Sequence, residues 1–164
     1  MIEIKRFYLQ IRSLEELNKV KKPSKSLKVE KSSNNFQLNK FFYREIGKKH
    51  RWVDRLSWSN DTWINYLNNK NLHTCVLKKN DDLVGYYEKI YYEESNEFEI
   101  AYFGIMEEYI GKGYGGFLLS EALENCLKEK VKRIWVHTCS LDHENAIKNY
   151  LARGMKLYKE EKIK

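Results

Sequence analysis

The chain has 164 residues, is 42% hydrophobic and 14% aromatic, and carries a formal charge of +7. That is enough for one domain, spanning 1–164, that buries roughly two-thirds of its unfolded surface, and it is too apolar for a disordered chain. Three scattered cysteines, Cys75, Cys126 and Cys139, make no disulfide framework, and the absence of a signal-peptide core or a membrane-length apolar run leads to a cytoplasmic expectation.

The charge is unevenly placed. Residues 1–70 hold sixteen Lys and Arg against seven Asp and Glu, whereas residues 71–164 hold fourteen against sixteen. Such asymmetry fits an anionic ligand or a nucleic-acid partner, and equally a lysine-rich solvated face.

In chain order, Ile2-Glu3-Ile4 and Tyr8 to Ile11 suggest a first strand. Ser13-Leu14-Glu15-Glu16 has the pattern of a capping box opening a short helix. Residues 19–35 are rich in Lys, Ser and Asn and hold Pro23, the chain's one proline, which predicts a mobile basic loop. Leu38, Phe41, Phe42 and Ile46 fall at helical spacing, with Gly47 placed to end that helix. Ser59 or Asn60 can cap a second helix through Asn68, with Trp63, Ile64 and Leu67 facing inward. The connection His50 to Trp58 is dense in aromatic residues and charge, and can be a tryptophan-anchored link with surface ion pairs.

Leu72 to Lys78 and Leu83 to Tyr92, joined by Lys79-Asn80-Asp81-Asp82, read as a hairpin, and Glu97 to Ile105 as a third strand. Four glycines follow within six positions, Gly111, Gly113, Gly115 and Gly116. A helix begins after them, with Phe117, Leu119, Ala122, Leu123, Cys126 and Leu127 on its buried stripe. Arg133 to Thr138 is the next strand, Asp142 is placed to cap a helix ending at Gly154, and Met155 to Tyr158 alternates like a last strand.

A glycine-rich loop opening a helix presents free N–H groups and the positive end of the helix dipole to one spot, which suits a phosphate or pyrophosphate. Gly111-Lys112-Gly113-Tyr114-Gly115-Gly116 fits the dinucleotide fingerprint G-x-G-x-x-G. A doubly wound sheet, however, opens with that loop, whereas here an antiparallel meander precedes it. Ile110, Gly113 and Gly115 also fill the template [RQ]-x-x-G-x-[GA]. Together with the strand Glu99 to Ile105 before it, the strand Arg133 to Thr138 after it and the segment Asn145 to Gly154, this resembles the GNAT superfamily of acetyl-CoA-dependent N-acetyltransferases, from about Leu72 to Lys159.

The resemblance implies a single α/β domain with a mixed, mostly antiparallel sheet flanked by helices. It implies acetyl-CoA as acyl donor, no metal, and direct attack by an amine in a ternary complex. Phe103, Gly104 and Ile105 would pair with the coenzyme arm, with Gly104 permitting a bulge. Ile110, Gly111, Lys112, Gly113, Tyr114, Gly115 and Gly116 would hold the pyrophosphate, and Asn145 the arm. Where the family has Arg or Gln, this chain has Ile110, so Lys112 is expected to supply the charge. The early helices and the connection between them would roof the acceptor site. A typical member also has one more strand at the C-terminus, so that edge would be left incomplete or be completed by a second subunit in a homodimer.

Acetyl transfer needs a neutral amine, and freeing a lysine-like amine of its proton at pH 7 costs about 4–5 kcal/mol. Glu99 matches the position of the family's glutamate base and is also readable as a surface strand residue; His137 is the substitute. Tyr150 lies where the family places the acid that protonates the leaving thiolate, and is also readable as a core tyrosine. A backbone N–H near Phe103 or Gly104 would stabilise the oxyanion. His137, Cys139 and His143 match no familiar zinc spacing, and Cys139 lacks the third residue of a thiol triad. The reading from another class is a basic nucleic-acid-binding module with a degenerate coenzyme site.

Overall fold

The computed structural model describes residues 3–163, so Ile2 of the first expected strand lies outside the described residues. Seven strands and four helices run in the order β1 (Lys5–Ile11), β2 (Leu27–Lys31), α1 (Phe36–His50), α2 (Asn60–Leu67), β3 (Leu72–Lys79), β4 (Asp82–Tyr92), β5 (Glu97–Ile105), α3 (Tyr114–Leu127), β6 (Arg133–Cys139), α4 (Glu144–Ala152) and β7 (Lys156–Lys162). They form one sheet in the order β2-β3-β4-β5-β6-β1-β7. Every neighbouring pair is antiparallel except β5 and β6. Among the described residues, no helix is long and apolar enough to cross a membrane.

The parallel pair is short. Glu97, Phe98 and Glu99 face Arg133, Ile134 and Trp135, and the strands then diverge. From Ile100 to Ile105, one edge of β5 is free of the ladder. This split is what positions the site.

Each sheet face packs its own core. On one side Leu9, Ile11, Leu77, Tyr87, Ile134 and Val136 meet the buried stripe of α3, including Phe117, Leu119, Leu123 and Cys126. On the other, Phe42 and Ile46 of α1 pack on Val76 and Tyr86, with the Phe42 and Tyr86 rings stacked 4.7 Å apart.

Several local expectations are corrected. Residues 19–35 contain a strand, β2, in which Leu27 is buried and which pairs in register with β3. Ser13 caps nothing: Leu14–Glu16 is a single 3₁₀ turn, and Glu16 accepts instead from the Arg12 N–H. Gly47 lies inside α1 rather than past it. The helix ends at Arg51 in the left-handed region (φ 56°), and Trp52 folds back so closely that a Cβ on Gly47 would lie 3.0 Å from its own. Ser59 does cap α2, accepting from the Thr62 N–H, and buries Trp63 and Leu67, but Ile64 is exposed. β1 lies between β6 and β7, antiparallel to both, and β7 is the sheet edge on that side.

The connection after α1 is not a set of surface ion pairs. Arg55 is buried, and its guanidinium meets the fully buried Glu88 of β4 at 3.1 Å. Tyr66 donates to the same carboxylate at 2.6 Å and Asn39 at 2.9 Å. This network ties α1, α2 and the connection between them to the sheet.

Candidate active site

Where β5 and β6 part, two cavities adjoin. The inner one, about 210 Å³, is lined by Phe103, Gly104 and Ile105 of β5, by Ile110, Gly111, Gly115 and Gly116 of the loop, and by Asn145, Asn149 and Tyr150 of α4, with His50 and His143 at its margin. The outer one, about 410 Å³, shares His50, Phe103 and Tyr150 with it and extends past Ala101, Tyr102, Trp52 and Asp54 to His137 and Arg6. Both are walled by residues of β5 along the split, and they meet at the three shared residues.

The loop is shaped for close approach. Gly111 and Gly113 adopt left-handed φ of 87° and 82°, where side chains other than glycine's are strained. Gly113 is the N-cap of α3 and, among the described residues, no side chain caps that helix. Its first-turn N–H groups are thus free to face an anion. Asn149 fixes the turn by donating to the Gly115 carbonyl at 3.1 Å.

Three expected coenzyme contacts do not line the inner cavity. Gly113 shapes the backbone turn before α3. Lys112 is exposed, and Tyr114 is buried in the core beside Tyr109. A cation beside the loop is Arg153, just past α4, although it lines neither cavity. Its Nη1 would lie 2.8 Å from a Cβ on Gly116, and its buried Nε has no hydrogen-bond partner among the described residues. Burial without a counter-charge disfavours its charged form, which is the environment an anionic ligand would relieve.

The bulge in β5 is not at Gly104. Glu88 faces Tyr102 and Lys89 faces Ile100, so Ala101 is the extra residue. Gly104 has a different reason to be glycine: a Cβ there would overlap the Ile46 side chain of α1.

Glu99 is buried and lines neither cavity. Tyr92 donates to it at 2.6 Å, and its carboxylate is 3.9 Å from Nε2 of His137. Burial raises its pKa, partly offset by the bond from Tyr92. His137 does line the outer cavity, and burial, with Arg6 nearby, pushes its pKa down. Tyr150 lines both cavities edge-on to Phe103; burial, then the charge of Asp142, hold its phenol well above the usual range. At neutral pH it carries a proton to give.

Asp142 does not cap α4. His143 does, accepting from the Asn145 N–H. Asp142 instead bonds Nδ1 of His50, accepts from Thr138 at 2.7 Å and from the His143 N–H at 2.8 Å. Sequence reading placed His50 only within the connection expected to roof the acceptor site, and Asp142 only as a helix cap. They lie 92 residues apart, and no local pattern joins them. Among the described residues, no group of three or more His, Cys, Asp or Glu side chains is placed to hold a metal ion.

The family model of the acetyltransferase (GNAT) family matches residues 35–155. No curated protein sequence matches the chain. Among solved structures, a GCN5-related N-acetyltransferase from Sphaerobacter thermophilus superposes with a TM-score of 0.74 at 12% identity, over 99% of this chain and 51% of that one. An aminoglycoside acetyltransferase from an uncultured soil metagenomic sample gives 0.65 at 16% identity, over 80% and 90% of the two chains. The PaiA N-acetyltransferase of Thermoplasma acidophilum, solved with coenzyme A, gives 0.53 at 20% identity, over 65% and 75%. At these identities the likeness is one of fold, and this chain spans about half the length of the Sphaerobacter protein.

Proposed function

Because the chain belongs to the acetyltransferase (GNAT) family, we propose that it transfers an acetyl group from acetyl-CoA to a primary amine by direct attack. The observation that carries this reading is the split between β5 and β6, with a glycine loop and an uncapped helix end on one side and an open cavity on the other. The loop N–H groups and Arg153 would hold the pyrophosphate. The free edge of β5 from Ile100 to Ile105 would pair with the coenzyme arm beside Asn145. The thioester would then lie near Tyr150, where the two cavities meet, and the amine would arrive through the outer cavity. Tyr150 protonates the departing thiolate. Glu99 lines neither cavity and lies 3.9 Å from Nε2 of His137, too far for a hydrogen bond, so neither residue takes a proton-transfer step in this reading.

Acetyl-CoA at one hundred times its Kd is expected to stabilise the protein by about 2.7 kcal/mol, and NAD is expected to leave its melting temperature unchanged. Tyr150→Phe should lower kcat about 100-fold with little change in coenzyme affinity. A thermal shift with NAD alone would overturn the coenzyme assignment, and an unchanged kcat would return Tyr150 to the core. Binding of RNA that weakens steeply with salt, without any response to acetyl-CoA, would favour a nucleic-acid-binding module.

The missing side chain at Ile110 leads to a second comparison. Arg153→Ala is expected to weaken acetyl-CoA by about 1.5–3 kcal/mol, the scale of a hydrogen bond to a charged group. Lys112→Ala, at an exposed position, should cost less than about 1 kcal/mol. Calorimetric titration of both variants checks the order; a larger loss for Lys112 would assign the compensating charge to the loop.

A further inference from the structure

The cleft holds two imidazole–carboxylate pairs, and only one is built as a hydrogen-bonded unit. His50, at the end of α1, and Asp142, between β6 and α4, are both mostly buried, at 13% and 14% side-chain exposure. Nδ1 of His50 meets Oδ1 of Asp142, whose two oxygens are further held by the His143 N–H and the Thr138 hydroxyl. A carboxylate only accepts, so Nδ1 carries the hydrogen and a neutral ring leaves its lone pair on Nε2. Trp52 packs against the ring at 5.0 Å. His50 lines both cavities, beside Tyr150 and Phe103. The other pair differs on each count: 3.9 Å between His137 and Glu99 is no hydrogen bond, and His137 lines the outer cavity alone.

We propose that His50 is the base of the reaction, taking the acceptor's proton at Nε2, and that Asp142 is the positioning residue that fixes its tautomer. This rests on the acetyl-transfer reading above and adds a residue to it. The amine nitrogen bonds to the thioester carbonyl carbon, and the C–S bond breaks with its electron pair left on sulfur. The displaced proton passes to His50, Tyr150 protonates the sulfur, and water returns the proton from His50 to Tyr150. The charged or titratable groups that line the two cavities with His50 are Arg51 and Asp54 beyond α1, Tyr102 of β5, Tyr109 before the loop, Cys139, Asp142, His143 and Tyr150 from the β6–α4 side, and His137 and Arg6 across the outer cavity. The Asp142 carboxylate is the one in hydrogen-bond contact.

Two measurements test this on the full chain. Long-range ¹H–¹⁵N NMR should show neutral His50 protonated at Nδ1 and bare at Nε2, and Asp142→Asn should disturb that tautomer. Thiol release from acetyl-CoA is followed against pH with spermidine, tyramine and kanamycin as probe amines. His50→Gln is expected to lower kcat/KM about 100-fold and remove the acid limb of the pH profile, with free imidazole restoring part of the rate to His50→Ala. Asp142→Asn should lower kcat more than it raises KM and shift that limb, an effect a merely structural contact would not have. His137→Gln and Glu99→Gln should keep the limb. A proton on Nε2 of the neutral ring, or an acid limb that survives His50→Gln and disappears in His137→Gln or Glu99→Gln, overturns the proposal. Wild-type protein that binds acetyl-CoA but releases no thiol with any probe amine sinks the transfer reading instead, and the tautomer measurement then decides the His50–Asp142 pairing separately.

Discussion

Arg55→Met is expected to lower the unfolding free energy by about 3–5 kcal/mol, because it strands the fully buried Glu88 carboxylate without its counter-charge. That is a large part of the margin of a domain this size. The guanidinium is also enclosed by aromatic rings, with Tyr102, Tyr66 and Trp58 centred 4.1, 4.2 and 4.7 Å from it. Burial, the largest single influence, opposes its charge, but Glu88 together with Tyr66, Tyr102 and Tyr86 outweighs it and the pKa rises. Since cost and gain of a buried pair nearly cancel, replacing Arg55 and Glu88 together by Met should recover much of the loss. Urea unfolding of the two singles and the double variant measures this. Additive losses, or a single substitution costing under about 1 kcal/mol, would show that Glu88 is served by Tyr66 and Asn39 alone.

Gly154→Ala should be nearly as damaging, at about 3 kcal/mol. Gly154 has φ 106°, and a Cβ there would overlap the backbone carbonyl oxygen of Glu16. That carbonyl cannot easily retreat: Asn18 next to it is bonded through its N–H to the Arg153 carbonyl and through its side chain to that of Ala152. Gly111→Ala is the control. It shares a left-handed φ, 87°, but has nothing within 4 Å of the added carbon, so it carries the backbone strain alone, about 1–2 kcal/mol. Equal losses at the two positions would mean that the contact between the early segment and the end of α4 yields.

Features set by local chemistry were legible in the sequence. The β3–β4–β5 meander, the glycine loop and the stripe of α3 rest on alternation, turn residues and helical spacing, and appear where those patterns put them. What was not legible depends on distant partners. Gly47 looked like a helix stop because the sequence does not show Trp52 folding back onto it. Residues 19–35 looked like a loop because β2 is a short edge strand with only Leu27 fully buried, and it is β3 that holds it. Asp142 has the local signature of an N-cap, but His50 and Thr138 claim its carboxylate. Arg153 reads as an ordinary charge at a helix end until Gly116 is seen beneath it.

The position of β1 sets a timetable. Among the described strands it is the first to leave the ribosome, yet both its partners, β6 and β7, are the last two. Lys5 donates to Ser140 across 135 residues, and at ordinary rates of synthesis β1 waits about 10–30 s for that side of the sheet to exist. Until then the strand carrying Phe7, Leu9 and Ile11 has no strand to pair with, while β2 to β5 and α3 can already assemble. The half-sheet with the glycine loop can therefore form before β6 and β7 exist. β6, which bears His137, meets that half through a short parallel pair with β5 and takes β1 as its other neighbour.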